Sequence, residues 1–281
     1  MSGVLVVIGV GGMGQAIARR LGYGGRILLS DFNSLVLERT AATLRGEGFD
    51  ITTRVVDVSS RASVHELAES AVAMGEVTRV AHTAGLSPVQ ATTEAILAVD
   101  LIGVANVLEE FQQIIAPGGA GVVIASMGGH MTRPLAPEQE VQLARTPADH
   151  IGDLPFVVVD QFDNGGSAYS FAKRANAMRV RAASVGWGKR GARVNSISPG
   201  VIATPMGLAE LDSPTGGAMR AMIDGSAARR VGTAEDIAAA AEFLLGPHAS
   251  FISGTDLLVD GGVIGALTTG QLDLGGITAA G

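Results

Sequence analysis

Cysteine is absent from this 281-residue chain, and aromatic residues are scarce at 4%, with one tryptophan and two tyrosines. The first absence removes disulfides and thiolate metal sites and fits a reducing compartment. Charge is also thin: 17% of residues are Asp, Glu, Lys or Arg, and the net is −7. Such a balance offers no broad footprint for nucleic acid or for an anionic lipid surface. No apolar run reaches the length of a membrane span, and the first residues lack the basic, apolar and small-residue sections of a leader peptide. A soluble, cytoplasmic protein is therefore expected. No repeat or low-complexity linker divides the sequence. This predicts one domain over 1–265 followed by a Gly/Ala/Thr/Leu-rich tail over 266–281.

What is abundant is Gly, Ala and Val, a composition suited to a buried parallel sheet flanked by Ala-rich helices. Val4–Ile8 is a continuous apolar, β-branched run, as a strand buried on both faces requires. It leads into Gly9-Val10-Gly11-Gly12-Met13-Gly14 and then a helical pattern from Gln15 to Leu21. Strand, G-x-G-x-x-G and helix in that order form the context of a dinucleotide-binding turn. Gly9 allows the tight turn, Gly11 a close approach to pyrophosphate, and Gly14 close helix–strand packing. Gly12 and Met13 complete the turn, and the helix N-terminus supplies N–H groups for phosphate.

A second strand, Arg26–Ser30, ends at Asp31-Phe32. A carboxylate there can accept hydrogen bonds from both adenosine ribose hydroxyls and would repel a 2′-phosphate, which favours NAD over NADP. Arg19 and Arg20 fall inside the preceding helix, where a solvated face accounts for them. A third strand, Ile51–Val56, closes with Asp57-Val58, and a fourth, Val77–His82, runs into Thr83-Ala84-Gly85. Asp57 is placed either to meet the adenine or to cap a helix. Ala84 and Gly85 are placed to pass under the adenosine ribose, and His82 reads as a packed strand-end residue. Strands alternating with helices predict a doubly wound α/β fold with ligands outside the carboxyl ends of the strands.

Further along, a fifth strand, Val122–Ala125, precedes Ser126-Met127-Gly128-Gly129. Tyr169-Ser170-Phe171-Ala172-Lys173 then heads an Ala/Arg-rich helix, where residues four apart share a face. Arg193 through Met206 contains Ser198-Pro199-Gly200-Val201-Ile202-Ala203-Thr204, and Val259-Asp260-Gly261-Gly262 closes the ordered motifs. Together these segments resemble the short-chain dehydrogenase/reductase family over nearly the whole chain. The resemblance implies a single-domain Rossmann fold with a seven-stranded parallel sheet. It also implies an NAD-dependent oxidoreductase acting between a secondary alcohol and a ketone. Tyr169 would be the general acid/base, Lys173 would stabilise its phenolate and bind the nicotinamide ribose, and Ser126 would donate to the substrate carbonyl. Pro199, Gly200, Ile202 and Thr204 would shape the nicotinamide site. Homodimeric or homotetrameric assembly is implied as well, commonly through the helix that starts at Tyr169.

Three departures stand out. The glycine turn is one residue shorter than the family's usual G-x-x-x-G-x-G. Asp100-Leu101-Ile102-Gly103 stands where the family carries Asn in N-x-x-G, so Asp100 is a candidate relay carboxylate facing Lys173. Ser126 and Tyr169 are 43 positions apart instead of about a dozen, and the extra material spans 131–166. It holds a helical piece, Pro137–Arg145, and a strand-like or buried piece, Phe156–Val159. A loop that long is usually functional or disordered; it reads as a substrate-side lid, with an oligomer-interface element as the alternative. Met206, Leu208, Met219 and Met222 suit an irregular apolar pocket or a plain core. The expected substrate is a fairly large apolar alcohol or ketone, alicyclic or steroid-like. A catalytically silent NAD-binding regulator is the competing reading. A methyltransferase would share the glycine loop but leave Tyr169 and Lys173 unexplained.

Overall fold

The structure, a computed structural model, describes residues 3–214 and 216–274. Strands and helices alternate: β1 (Val4–Ile8), α1 (Gly12–Gly22), β2 (Arg26–Asp31), α2 (Ser34–Gly46), β3 (Asp50–Val55), α3 (Arg61–Met74) and β4 (Val77–His82). A short α4 (Thr93–Ile96) continues through a π-helical stretch, Leu97–Gly103, into α5 (Val104–Ile114) and β5 (Ile115–Ile124). After α6 (Pro137–Arg145) come α7 (Gly165–Lys189), β6 (Arg193–Pro199), α8 (Pro205–Leu211), α9 (Gly216–Gly225), α10 (Ala234–Leu245), β7 (Asp256–Val259) and α11 (Val263–Thr268). The seven strands form one parallel sheet in the order β3-β2-β1-β4-β5-β6-β7.

This order follows from burial. Every residue of β1 is fully buried, its side chains alternating between two apolar layers. Leu5 and Val7 meet α1, α2 and α10 residues on one face, whereas Val4, Val6 and Ile8 meet α3, α5 and α7 residues on the other. Only a sheet covered on both sides buries such a run. Because all strands are parallel, Ile8, Asp31, Val55, His82, Ile124 and Pro199 end at one edge. The chain reverses its lateral direction there between β1 and β4.

Several local expectations need correction. Ser60, not Asp57, caps α3 by accepting from the Ser63 N–H, while Asp57 instead folds an Asx turn onto the Ser59 N–H and hydroxyl. Phe156–Val159 forms no strand, since turn geometry there buries Val157 and exposes Val158. The fifth strand begins at Ile115, well before Val122, because a register shift at the β4 pairing absorbs Pro117–Gly119. Of the predicted 266–281 tail, residues 275–281 lie outside the described residues, and the part before them includes the end of α11.

The 131–166 segment lies against α5 and α7. Leu143, Ala148, Ile151 and Val157 share an apolar cluster with Leu101, Ala105, Ala168, Ala172 and Ala175. Charge fastens the same contact. Arg179 donates to the Leu143 and Thr146 carbonyls at 2.8 Å each and to Glu109 at 3.2 Å. Arg61 joins Glu109, Glu110 and Asp149, and Arg174 pairs with Glu140 at 2.7 Å. The Arg179 side chain is only 6% exposed, so its removal leaves the Leu143 and Thr146 carbonyls short of a donor, while Glu109 keeps Arg61 and the Ala148 N–H. Arg179→Ala is expected to cost about 2 kcal/mol of stability and to open 137–161 to proteolysis. Denaturant titration and limited digestion check this; an unchanged midpoint would refute it.

His82 closes β4 fully buried, with no hydrogen-bond partner for either ring nitrogen among the described residues. Burial first, and the Lys173 ammonium second, push its pKa down to about 3. The unfolded chain takes up this proton near the ordinary histidine value, so acidification below about 6.5 favours unfolding until the folded His82 titrates. The cost is about 1.4 kcal/mol per pH unit. His82→Leu is expected to make the stability loss between pH 6 and pH 4 smaller by about 2–3 kcal/mol, read by denaturant midpoints across that range. Equal slopes in both proteins would exclude it.

Candidate active site

The glycine turn is built by missing side chains. Gly9 has φ +92°, a conformation glycine takes freely, and a Cβ there would lie 2.4 Å from the Ala84 nitrogen. A Cβ on Gly14 would lie 2.0 Å from the Gly9 carbonyl oxygen, which Thr83 Oγ1 already binds at 2.7 Å. At Gly11 the situation reverses: a Cβ would meet nothing within 4 Å. Gly11 caps α1 without a side-chain hydrogen bond, which leaves first-turn N–H groups for an anion. Open space, small residues and a helix N-terminus are the combination that can hold a pyrophosphate. Met13 packs on the core behind the turn.

Asp31 accepts from the Val10 N–H with one carboxylate oxygen and from the Asn33 N–H with the other, both at 2.9 Å. Its side chain is thus fixed beside the turn with lone pairs left for a ribose. Phe32 is 74% exposed next to it. Arg19 and Arg20 point elsewhere, paired with Glu47 and with Glu235 and Glu242. Val58 is buried against Gly103, and Asn106 binds the Val58 carbonyl. On the far side, a Cβ on Gly200 would lie 2.7 Å from Asp260 Cα, so the loop after β6 can lie against the end of β7. Ile202 bridges to Gly232. Thr204 caps α8, and its methyl carbon would lie 2.9 Å from a Cβ on Gly12. The glycine turn and the β6 loop therefore face each other across one cleft.

The candidate catalytic residues Ser126, Tyr169, Lys173 and Asp100 form a second cluster. Tyr169 and Lys173 share a face of α7, with Lys173 Nζ 5.3 Å from the Tyr169 ring centroid. Nζ donates to the Ile124 carbonyl at 3.3 Å, and Lys173 is 4% exposed. Ser126 accepts from the Gly128 N–H through its hydroxyl oxygen and lies near enough to the phenol to lower its pKa. Asp100, fully buried in the π-helical stretch, accepts from the Leu86 N–H at 2.9 Å. Its second oxygen has no partner among the described residues. A Cβ on Gly85 would lie 2.8 Å from Asp100 Oδ1 and 3.1 Å from Lys173 Nζ, so both groups converge under that glycine. Burial raises the Asp100 pKa, against the pull of Lys173.

The phenol is held protonated. Burial is the largest cause raising the Tyr169 pKa; Lys173 and Ser126 pull it down, and Asp100 and Glu210 push it up. Glu210 had no sequence signal, for its partner Ser87 is 123 positions away. A cavity of about 940 Å³ is lined by Met131, Arg133, Phe162, Ser170, Phe171 and Leu267 among others, with Ser170 and Phe171 following Tyr169 on α7. The 131–166 segment and α11 supply opposite walls. Met222 is buried and Met219 packs beside it, whereas Leu208 is half exposed. Among the described residues no group of acidic, histidine or cysteine side chains could hold a metal, and no helix is long and apolar enough to cross a membrane.

Two family models match the chain: short chain dehydrogenase over residues 3–138 and enoyl-(acyl carrier protein) reductase over 156–264. The short-chain dehydrogenase/reductase bsc3 of Alternaria brassicicola is 43% identical over 269 residues, covering 94% of this chain and 96% of that protein. The 3-alpha-hydroxysteroid dehydrogenase/carbonyl reductase of Comamonas testosteroni is 30% identical over 189 residues, covering 64% and 70%. A short-chain type dehydrogenase/reductase from Mycobacterium ulcerans shares the fold at TM-score 0.76 and 22% identity, covering 94% of this chain and 91% of that one. With these relatives, a parallel Rossmann-like sheet and the Ser126–Tyr169–Lys173 cluster at its edge, the chain belongs to the short-chain dehydrogenase/reductase family of nicotinamide-dependent oxidoreductases acting on CH–OH and carbonyl groups.

Proposed function

We propose that the protein transfers hydride between NAD(H) and a secondary alcohol or ketone, with Tyr169 as general acid/base. The observation that carries this reading is the phenol held between the Ser126 hydroxyl and the Lys173 side chain, opposite the glycine turn. A bound nicotinamide supplies or accepts the hydride. The protein's own part is the proton. In carbonyl reduction Tyr169, protonated as it stands, gives its proton to the substrate oxygen while Ser126 donates a hydrogen bond to that oxygen. In alcohol oxidation the phenolate takes the hydroxyl proton, and Lys173 stabilises the negative charge. Asp100 acts behind Lys173, where its unpartnered oxygen suits a relay water.

The cofactor residues follow from the same geometry. Gly9, Gly11, Gly12, Met13 and Gly14 form the pyrophosphate turn; Asp31 and Phe32 flank the adenosine ribose, and Asp57 and Val58 the adenine. Ala84 and Gly85 pass beneath the ribose, Lys173 meets the second ribose, and Pro199, Gly200, Ile202 and Thr204 border the nicotinamide. A fairly large apolar substrate, alicyclic or steroid-like, is supported by the 940 Å³ cavity, whose size suits a ligand-binding cleft, and by the hydroxysteroid activity in the name of one relative. The 131–166 segment walls that cavity and also covers α7. Assembly of a dimer or tetramer through the α7 face would place the segment itself at the contact.

Tyr169→Phe is expected to lower kcat at least about a hundredfold while the NADH affinity measured by calorimetry stays within severalfold of wild type. Because the phenol pKa is raised, wild-type alcohol oxidation should climb with pH through the alkaline range, and carbonyl reduction should fall there. Wild-type rates across an alcohol and ketone panel in the Tyr169→Phe protein would overturn the assignment. NADH binding without any turnover by wild type would favour a silent regulator.

Cofactor choice rests on Asp31. Asp31→Ser is expected to weaken NAD about tenfold and narrow the discrimination against NADP, since it removes a ribose acceptor and a repelling charge. A ratio of the two kcat/KM values unchanged by the substitution would exclude Asp31 as the selector.

A further inference from the structure

The proposed chemistry leaves Glu210, a charged group beside the Tyr169 cluster, unused. Glu210 lies near the end of α8, and its Oε1 accepts from the Ser87 hydroxyl at 2.5 Å. Ser87 is 1% exposed. It follows Leu86, whose N–H holds Asp100, and Gly85, under which Asp100 and Lys173 converge. The bond therefore ties α8 to the loop after β4 beside the proton-handling cluster. Glu210 is close enough for its charge to act on the Tyr169 phenol. Its second carboxylate oxygen has no protein partner among the described residues, although a carboxylate accepts about four hydrogen bonds.

A substrate closing over that carboxylate strips it of water. An isolated hydrocarbon against it leaves the charge short of partners, at a cost in free energy. A substrate carboxylate would be repelled, and an ammonium would share the site with the buried Lys173. A neutral donor satisfies the group. We propose that Glu210, oriented by Ser87, is a specificity-determining residue that accepts a hydrogen bond from a second hydroxyl near the reacting carbon, so that the preferred substrates are diols and the corresponding hydroxyketones. This rests on the reading of Tyr169 as the centre of alcohol–ketone exchange. It adds a polar requirement to an otherwise apolar substrate.

The test compares NAD-linked oxidation of cyclohexanol, trans-1,2-cyclohexanediol and trans-2-aminocyclohexanol by wild type, Glu210→Gln, Glu210→Leu and Ser87→Ala. Wild type should favour the diol over cyclohexanol by about tenfold or more in kcat/KM. Glu210→Leu should erase that ratio, Glu210→Gln should keep part of it through its carbonyl acceptor, and Ser87→Ala should weaken it severalfold. Equal use of diol and cyclohexanol by wild type, or a wild-type ratio in Glu210→Leu, overturns the proposal, as does a preference for the amino alcohol over the diol. If none of the three turns over, the oxidoreductase reading fails for this substrate size, and calorimetry on protein saturated with NADH decides separately. Tighter binding of the diol than of cyclohexanol, lost in Glu210→Leu, supports the proposal; equal binding refutes it.

Discussion

An amine buried in a protein interior has to be met by oxygen, and the placement of Lys173 organises much of the site around that demand. Four segments meet it. The end of β5 offers the Ile124 carbonyl, α7 carries the Tyr169 ring above it, and the π-helical stretch brings Asp100 to the same point. The loop after β4 passes over both charges only because Gly85 has no side chain. An ordinary helical turn between α4 and α5 would give Asp100 a different direction, since one extra residue per turn rotates everything that follows it. The π-helical geometry is thus tied to the position of a carboxylate.

Much of this was legible from the amino-acid order, for a simple reason. The run Val4–Ile8 is buried on both faces, so its hydrophobicity alone marks its bounds. The glycine turn was readable because its spacing stands between a strand and a helix, although the atoms that a Cβ on Gly9 or Gly12 would meet belong to Ala84 and Thr204, far along the chain. Pro137–Arg145 likewise appears as expected, since a proline start and acidic first turn are local signals. For Phe156–Val159, read as strand-like or buried, the buried alternative holds at Val157, whose burial comes from packing with α7 residues, a contact that no periodicity records. Asp57 lost the cap to Ser60 because both residues can start a helix, and three-dimensional register decided between them. The Ser87–Glu210 contact was invisible altogether, as it joins the loop after β4 to α8, 123 positions further along the chain.

The 131–166 segment shows how a long connection becomes ordered. Its own residues are too polar to form a core: α6 buries only Leu143. Order comes instead from the small residues of α7, which leave a shallow apolar face at Ala168, Ala172 and Ala175, and from Arg179, which binds two backbone carbonyls of the segment. Arg179 is suited to that task because its planar donors reach two carbonyls and a carboxylate at once. The segment then forms a wall of the large cavity with Met131 and Phe162, so the residues that anchor it and those that line the cavity belong to one connection.

The electrostatics of Tyr169 bind these parts together. Lys173 and Ser126 favour the phenolate, while burial and the carboxylates of Asp100 and Glu210 favour the phenol, and the second set prevails in this state. Of these influences, only Glu210 rides on α8, a short helix attached by Thr204 at one end and by the bond to Ser87 near the other. Any movement of α8 away from the cleft therefore removes a negative charge from the neighbourhood of the phenol. Displacement of α8 would ease loss of the phenol proton, so the position of α8 and the protonation of Tyr169 are linked through one carboxylate.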